Sequence, residues 1–206
     1  MHVSAPVHTP EAAIRAWVQE KQVWITQHQA AFRARPQPAA RQYVSGELHY
    51  VLGRTYPLRI TERPGRAQVT LPENELHLAL PAGHDAAARA RALPQWYRAR
   101  LPAQVPALLA KWEPVVGARA AAWGLKTRRT RWGTCNVRAR RLWLSLELAQ
   151  WPLACLEYVL VHELTHLHER LPTPRFWQLV GQALPDWQAA HQTLRRGQPT
   201  GEVPGA

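Results

Sequence analysis

Two histidines four residues apart, His162 and His166, bracket Glu163 in the run VHELTHLHERLPTPRFW, residues 161–177. On an α-helix a spacing of four puts side chains one turn apart on one face. Both imidazoles can then aim a nitrogen at a single ion. Glu163 is rotated about 100° from His162, an offset that sets its carboxylate beside a metal-bound water without making it a ligand. This is the HExxH arrangement of zinc hydrolases, in which Glu is the general base. The competing arrangement is a pair of core histidines satisfied by backbone or carboxylate partners. The surrounding residues favour the metal. Leu153, Cys155, Leu156, Tyr158, Val159, Leu160, Val161, Leu164 and Leu167 cover almost the whole circumference of a helix over 152–170. A helix apolar all round is a buried one, and buried ionisable groups are costly unless paired, hydrogen-bonded or bound to metal.

The elements that would position this helix can be read outward from it. Pro152 suits its first turn, and Pro172 and Pro174 are expected to end it. A hairpin precedes it: LKTRRTRWGTC reads as one strand, NVRAR as the turn and RLWLSLEL as the second strand. Leu142, Leu144, Leu146 and Leu148 share one face of that second strand, and Trp143, Ser145 and Glu147 the other. In the first strand Arg129 and Arg131 share a face. With Arg138, Arg140 and Arg141 they make a basic hairpin, suited either to phosphate or nucleic-acid backbone or to a solvated sheet face. Further helices are expected from Pro174 and from Asp186, the latter as N-cap or as a partner to a ligand histidine. Phe176 and Trp177 read as core. Residues 10–34 read as one amphipathic helix, with Ile14, Trp17, Val18, Lys21, Ile25 and His28 at helical spacing. Residues 41–81 change to a period of two and read as an antiparallel β meander. Residues 85–116 read as helical, with Pro94, Pro102 and Pro106 capping, kinking or splitting the run. His28, His49, His77 and His84 are expected to face solvent. The domain reading is a helical lead-in over 1–40, a main domain over 41–196 whose core is 119–196, and a disordered tail over 197–206.

Composition narrows the class. The chain has 206 residues, enough for one domain with a core and an appendage. No apolar run reaches the roughly 18 residues of a membrane span, and the start shows no secretory signal, so a cytoplasmic location is expected. Cys135 and Cys155 make no disulfide framework and are expected reduced and packed. The formal net charge is +12. Lys21, Lys111 and Lys126 are the only lysines, so arginine carries the excess. That charge draws anionic partners, and it also follows from arginine replacing lysine under base-composition pressure.

The order TRWGTC, RLWLSLELAQWP, YVLVHELTHL, PRFWQLVGQALPDW resembles the YgjP-like metallopeptidase family, relatives of the SprT-like zincins. The match in order covers about residues 43–195, and the helix around WVQEKQVWI resembles that family's lead-in helix. The resemblance implies an α+β fold with a zincin-like core, a small antiparallel sheet packed on a buried HExxH helix with flanking helices. It also implies Zn²⁺ held by His162 and His166, with Glu163 as base. The family pattern places a third histidine six residues after the second. Here that position is Pro172, followed by Thr173. Glu169, His168, His191 or no third protein ligand remain open. Family members often begin with extra strands before the lead-in helix. The opening MHVSAP is similar to the end of such a strand, so either an internal start or a lost strand pair is expected.

The expected function is a zinc-dependent hydrolase, a metallopeptidase acting on peptide or protein. Glu163 would be the base, His162 and His166 the metal ligands, and Arg129 and Arg131 the substrate-binding residues. Two rivals differ in class: a metal-dependent nucleoside triphosphate pyrophosphohydrolase, and a degenerate zincin relative that binds nucleic acid through the basic hairpin. No membrane partner is expected.

Overall fold

Alternating leucines mark two of the strands that become interior. Leu76, Leu78 and Leu80 face one way along their strand, as do Leu142 and Leu144 along theirs, and all five are at most 2% exposed. The computed structural model describes residues 3, 5–34, 41–127, 131–197 and 199. It divides into two compact units, Met1–Arg41 and Gln42–Ala206. The expectations for Arg129 and for the tail beyond residue 199 fall outside the described residues.

The first unit contains two helices, α1 (Glu11–Glu20) and α2 (Gln22–Ala34), where the spacing predicts one. The break falls at Lys21, whose backbone sits at φ −90°, ψ 5°, in the sparsely allowed bridge region. No residue of α1 is buried, so no packed face enforces a single rod and local geometry decides.

In the second unit the first sheet is built of β1 (Leu48–Val51), β2 (Arg54–Glu62), β3 (Gln68–Thr70) and β4 (Leu76–Leu80), in the order β1-β2-β4-β3. β2 and β4 run parallel, with Leu58 opposite Leu76. The antiparallel meander expected over 41–81 is therefore corrected to a mixed sheet. The most deeply buried strand, β4, takes an interior slot, and the short polar β3 is left at the edge, where exposed strands are tolerated. His49 is also corrected. It shares the inward face of β1 with Val51 and is fully buried, with its Nε2 3.7 Å from Glu47. Leu52 and Gly53 join β1 to β2, both at positive φ (48° and 83°), the pair of conformations a tight hairpin turn needs. Their N–H groups donate to the carbonyls of Ala149 and Gln150, each at 3.0 Å.

α3 (Ala86–Arg100) is capped by Asp85, whose carboxylate accepts from Ala88 N–H at 2.6 Å. A 3₁₀ turn, Leu101–Ala103, and α4 (Val105–Val116) follow, with Pro102 and Pro106 in their first turns. Pro94 is accommodated inside α3.

The second sheet is β5 (Ala122–Lys126), β6 (Gly133–Asn136) and β7 (Arg141–Ser145), in the order β5-β7-β6. The single strand expected from Leu125 to Cys135 is thus two strands on opposite sides of β7. β5 pairs with β7 in parallel and β6 pairs antiparallel, so this sheet too is mixed. Of the described residues between β5 and β6, Arg131 is exposed and Trp132 packs against the core. Arg131 precedes β6 and does not share a strand face. β7 stops at Ser145, which is fully buried, and Leu146–Gln150 form a 3₁₀ turn. Ser145 N–H donates to Trp132 carbonyl at 2.7 Å.

α5 (Leu153–Thr165) lies centrally against α4, α6 (Pro174–Ala183), α7 (Trp187–Arg196), β6 and β7. It ends five residues before the expected limit of 170. Its last turn tightens first: Leu167 and His168 N–H groups donate to carbonyls three residues back, Leu164 and Thr165, the usual way a helix end satisfies orphan groups. Thr165 hydroxyl also donates to Val161 carbonyl at 2.8 Å. Asp186 stands at the start of α7 but does not cap it. Its backbone, at φ −91°, ψ 20°, is not the extended conformation that lets a cap side chain reach back. Among the described residues no helix is long and apolar enough to cross a membrane.

Candidate metal centre

Spacings of four put Tyr158, His162 and His166 on one face of α5. The two imidazoles stand with ring centroids 4.9 Å apart, nearly perpendicular at 84°. α6 holds them in place. Thr173 starts it by accepting from Phe176 N–H at 3.3 Å, and Pro174 fits its first turn. Phe176, fully buried, then packs 4.8 Å from His162 and 4.5 Å from His166. Trp177, one position on, is turned to the other side and borders an open cavity. Phe176 belongs to the core, and half-buried Trp177 packs against it.

The protonation of the pair follows from its neighbours. His166 Nδ1 lies 3.1 Å from the backbone oxygen of Glu169. A carbonyl only accepts, so in the neutral ring the proton sits on Nδ1 and Nε2 keeps its lone pair. His162 is driven down to about 4, by burial first and then by the positive fields of His166 and His191. It is therefore a neutral imidazole at pH 7, the form that ligates metal. Its Nδ1 is buried and makes no hydrogen bond among the described residues.

Glu163 is 4% exposed. It lies on the backbone of Gly133 at the start of β6. A Cβ on Gly133 would sit 2.5 Å from Glu163 Oε1 and 2.7 Å from its Cγ. Glycine is needed there for close approach. The carboxylate's charge is felt across the cavity: it adds to burial in pushing the Cys135 thiol up to about 11 and in raising Tyr158.

The cavity has a volume of about 870 Å³. One wall is β6, the edge strand of its sheet. Another is the histidine face of α5, and Trp177, His191 and Arg195 close it from α6 and α7. Arg131 borders it beside β6. Arg170 and Arg195 also border it and escaped the sequence reading, though each lies four residues after a site histidine, His166 and His191. That spacing was the available signal.

The third-ligand candidates separate. His168 Nε2 lies 2.9 Å from Val116 carbonyl and is turned onto the end of α4. Glu169 meets His166 through its backbone, and its side chain does not line the cavity; Pro172 is exposed and does not line it either. His191 does line it, with its ring 5.7 Å from Tyr158. Among the described residues no group of three His, Cys, Asp or Glu stands close enough to enclose an ion. His162 and His166 present two imidazoles on one cavity wall, with the tautomer of His166 set by its neighbour, and among the described residues no third side chain completes the pair.

A family model described as YgjP-like, metallopeptidase domain, matches residues 1–197. A search of curated proteins finds no match. Among solved structures, the metallopeptidase zymogen abylysin of Pyrococcus abyssi is similar at 15% identity and a TM-score of 0.40. That match spans 47% of this chain and 99% of the other, a likeness too slight to add to the fold described above.

Proposed function

Because this chain belongs to the YgjP-like metallopeptidase family, we propose that it is a zinc-dependent peptidase in which His162 and His166 hold the metal and Glu163 is the general base. Zinc, when bound, lowers the pKa of a water molecule and polarises a carbonyl. The chain's own residues do the rest. Glu163 accepts a proton from the attacking water and returns it to the leaving amine. Gly133 leaves room for the carboxylate to lie close against β6, the kind of positioning on which proton transfer depends. The free edge of β6 can receive an extended peptide by main-chain hydrogen bonding, with Arg131 at its entrance. Cys135 stays a thiol at neutral pH and does not compete as a nucleophile.

The observation that carries this reading is the convergence of two imidazoles and one nearly buried carboxylate on a single cavity. The test is metal analysis of purified wild-type protein beside His162→Ala and Glu163→Gln, with a peptide mixture as substrate. Wild type and Glu163→Gln are expected to carry zinc, and His162→Ala to lose it. Hydrolysis should fall by about 10²–10⁴-fold in Glu163→Gln. Undiminished zinc in His162→Ala would sink the ligand assignment, and undiminished hydrolysis in Glu163→Gln the base.

A further inference from the structure

Four arginines from separate stretches of the chain, Arg131, Arg138, Arg170 and Arg195, border the cavity, and Glu163 is the one carboxylate residue among its described lining. None of the four guanidiniums makes a hydrogen bond or ion pair with a described residue. Arginines with a structural duty look different. Arg140 donates twice to Arg119 carbonyl, at 2.9 and 2.7 Å, and Arg59 lies 3.6 Å from Glu75. Four like charges around one concavity repel one another and focus a positive field into it.

Resting on the peptidase reading above, we propose that the cavity selects peptides with acidic side chains on both sides of the bond to be cut. Arg131 lies two residues before β6 and Arg138 two residues after it. They bracket an edge strand whose four residues span about 13 Å at the usual rise, the length of three or four residues of an added peptide. A strand laid along β6 therefore has a guanidinium near each end. Arg170 and Arg195 come from the α5 and α7 walls. Charges spread in this way suit separate carboxylates along an extended chain. A compact phosphate group would need the guanidiniums to converge on one point. Two helix carboxyl ends stand at this cavity, His166 as the C-cap of α5 and Arg195 in the last turn of α7, beside Trp177 in the first turn of α6. The partial negative charge of the carboxyl ends opposes a dense anion.

The test measures binding apart from catalysis. Glu163→Gln protein is titrated into fluorescein-labelled peptides of one length, with Glu, Gln or Lys at the positions flanking the centre, and anisotropy is read. The Glu peptide is expected to bind about tenfold or more tighter than the Gln peptide, with the Lys peptide weakest. The preference should fade as salt rises toward 1 M, where the Debye length is about 3 Å. It should be lost in Arg170→Ser/Arg195→Ser and retained in Arg170→Lys/Arg195→Lys, with circular dichroism reporting that both fold. Equal binding of Glu and Gln peptides overturns the proposal, even if zinc and hydrolysis are found. So does tight binding of inorganic triphosphate through the same arginines with no preference among the peptides. An acidic preference in a protein that hydrolyses nothing upholds this inference and sinks the catalytic reading instead.

Discussion

At the scale of single residues the pairing of Gly133 with Glu163 is the most exposed to test. Gly133→Ala drives a methyl into the carboxylate, 2.5 Å from Oε1, and the side chain must move. We expect a stability loss of about 1–3 kcal/mol and a fall in kcat of about 10²-fold, the scale of a misplaced catalytic group. Gly124→Ala is the control. Its Cβ would meet the Trp143 ring at 2.5 Å, away from the cavity, so urea melts should show a similar stability loss while kcat is retained by the folded fraction. A second prediction concerns Cys135. Burial, aided by Glu163, puts its thiol up to about 11, so at pH 8 only about 10⁻³ of it is thiolate. Iodoacetamide should alkylate metal-free protein at Cys135 far more slowly than it does a free thiol, with the rate climbing until pH 11. Glu163→Gln removes the negative neighbour and should speed the reaction at every pH below that. A rate matching free cysteine at pH 8 would refute the microenvironment described. Cys155, pushed up to about 12 and buried against α7, should be slower still.

At the scale of elements, the start of α5 depends on the first sheet. The turn Leu52–Gly53 donates two hydrogen bonds to the carbonyls of residues 149 and 150. Gly53 lies so close to Pro152 that a Cβ would stand 2.7 Å from its ring. Gly53→Ala adds a left-handed backbone cost to that collision, and we expect a loss of about 1–3 kcal/mol, measured by urea unfolding. Gly46, also at positive φ but with nothing near its missing Cβ, should lose less on the same substitution. The other end of α5 shows why local reading overran it. Pro172 and Pro174 forbid a helix beyond them but do not require one up to them. With the last turn tightened at Thr165–His168, the Glu169 carbonyl meets His166 Nδ1.

At the scale of the whole molecule, the formal charge of +12 is a sum that does not say where the charge acts. Arg131, Arg138, Arg170 and Arg195 are separated by up to 64 residues in sequence and meet around the cavity. The shared face of His162 and His166 was legible because a four-residue spacing is a property of one helix. The breaking of 85–116 at prolines and the alternating leucines of β7 were legible for the same reason, since each is settled within a few residues. The strand orders were not. Pairing β5 with β7 in parallel, or seating β4 beside β2, depends on which strand has most apolar surface to bury against the rest of the unit, and that is a competition among distant segments. The burial of His49 and Ser145, the exclusion of His168 and the bed of Gly133 under Glu163 were decided by that same competition. Local sequence determined which groups stand on which side of each element, because dihedral preference and side-chain period act over a single turn or strand. Tertiary structure alone decided which of those sides face one another, because burial energy is shared across the whole core and no short window contains it.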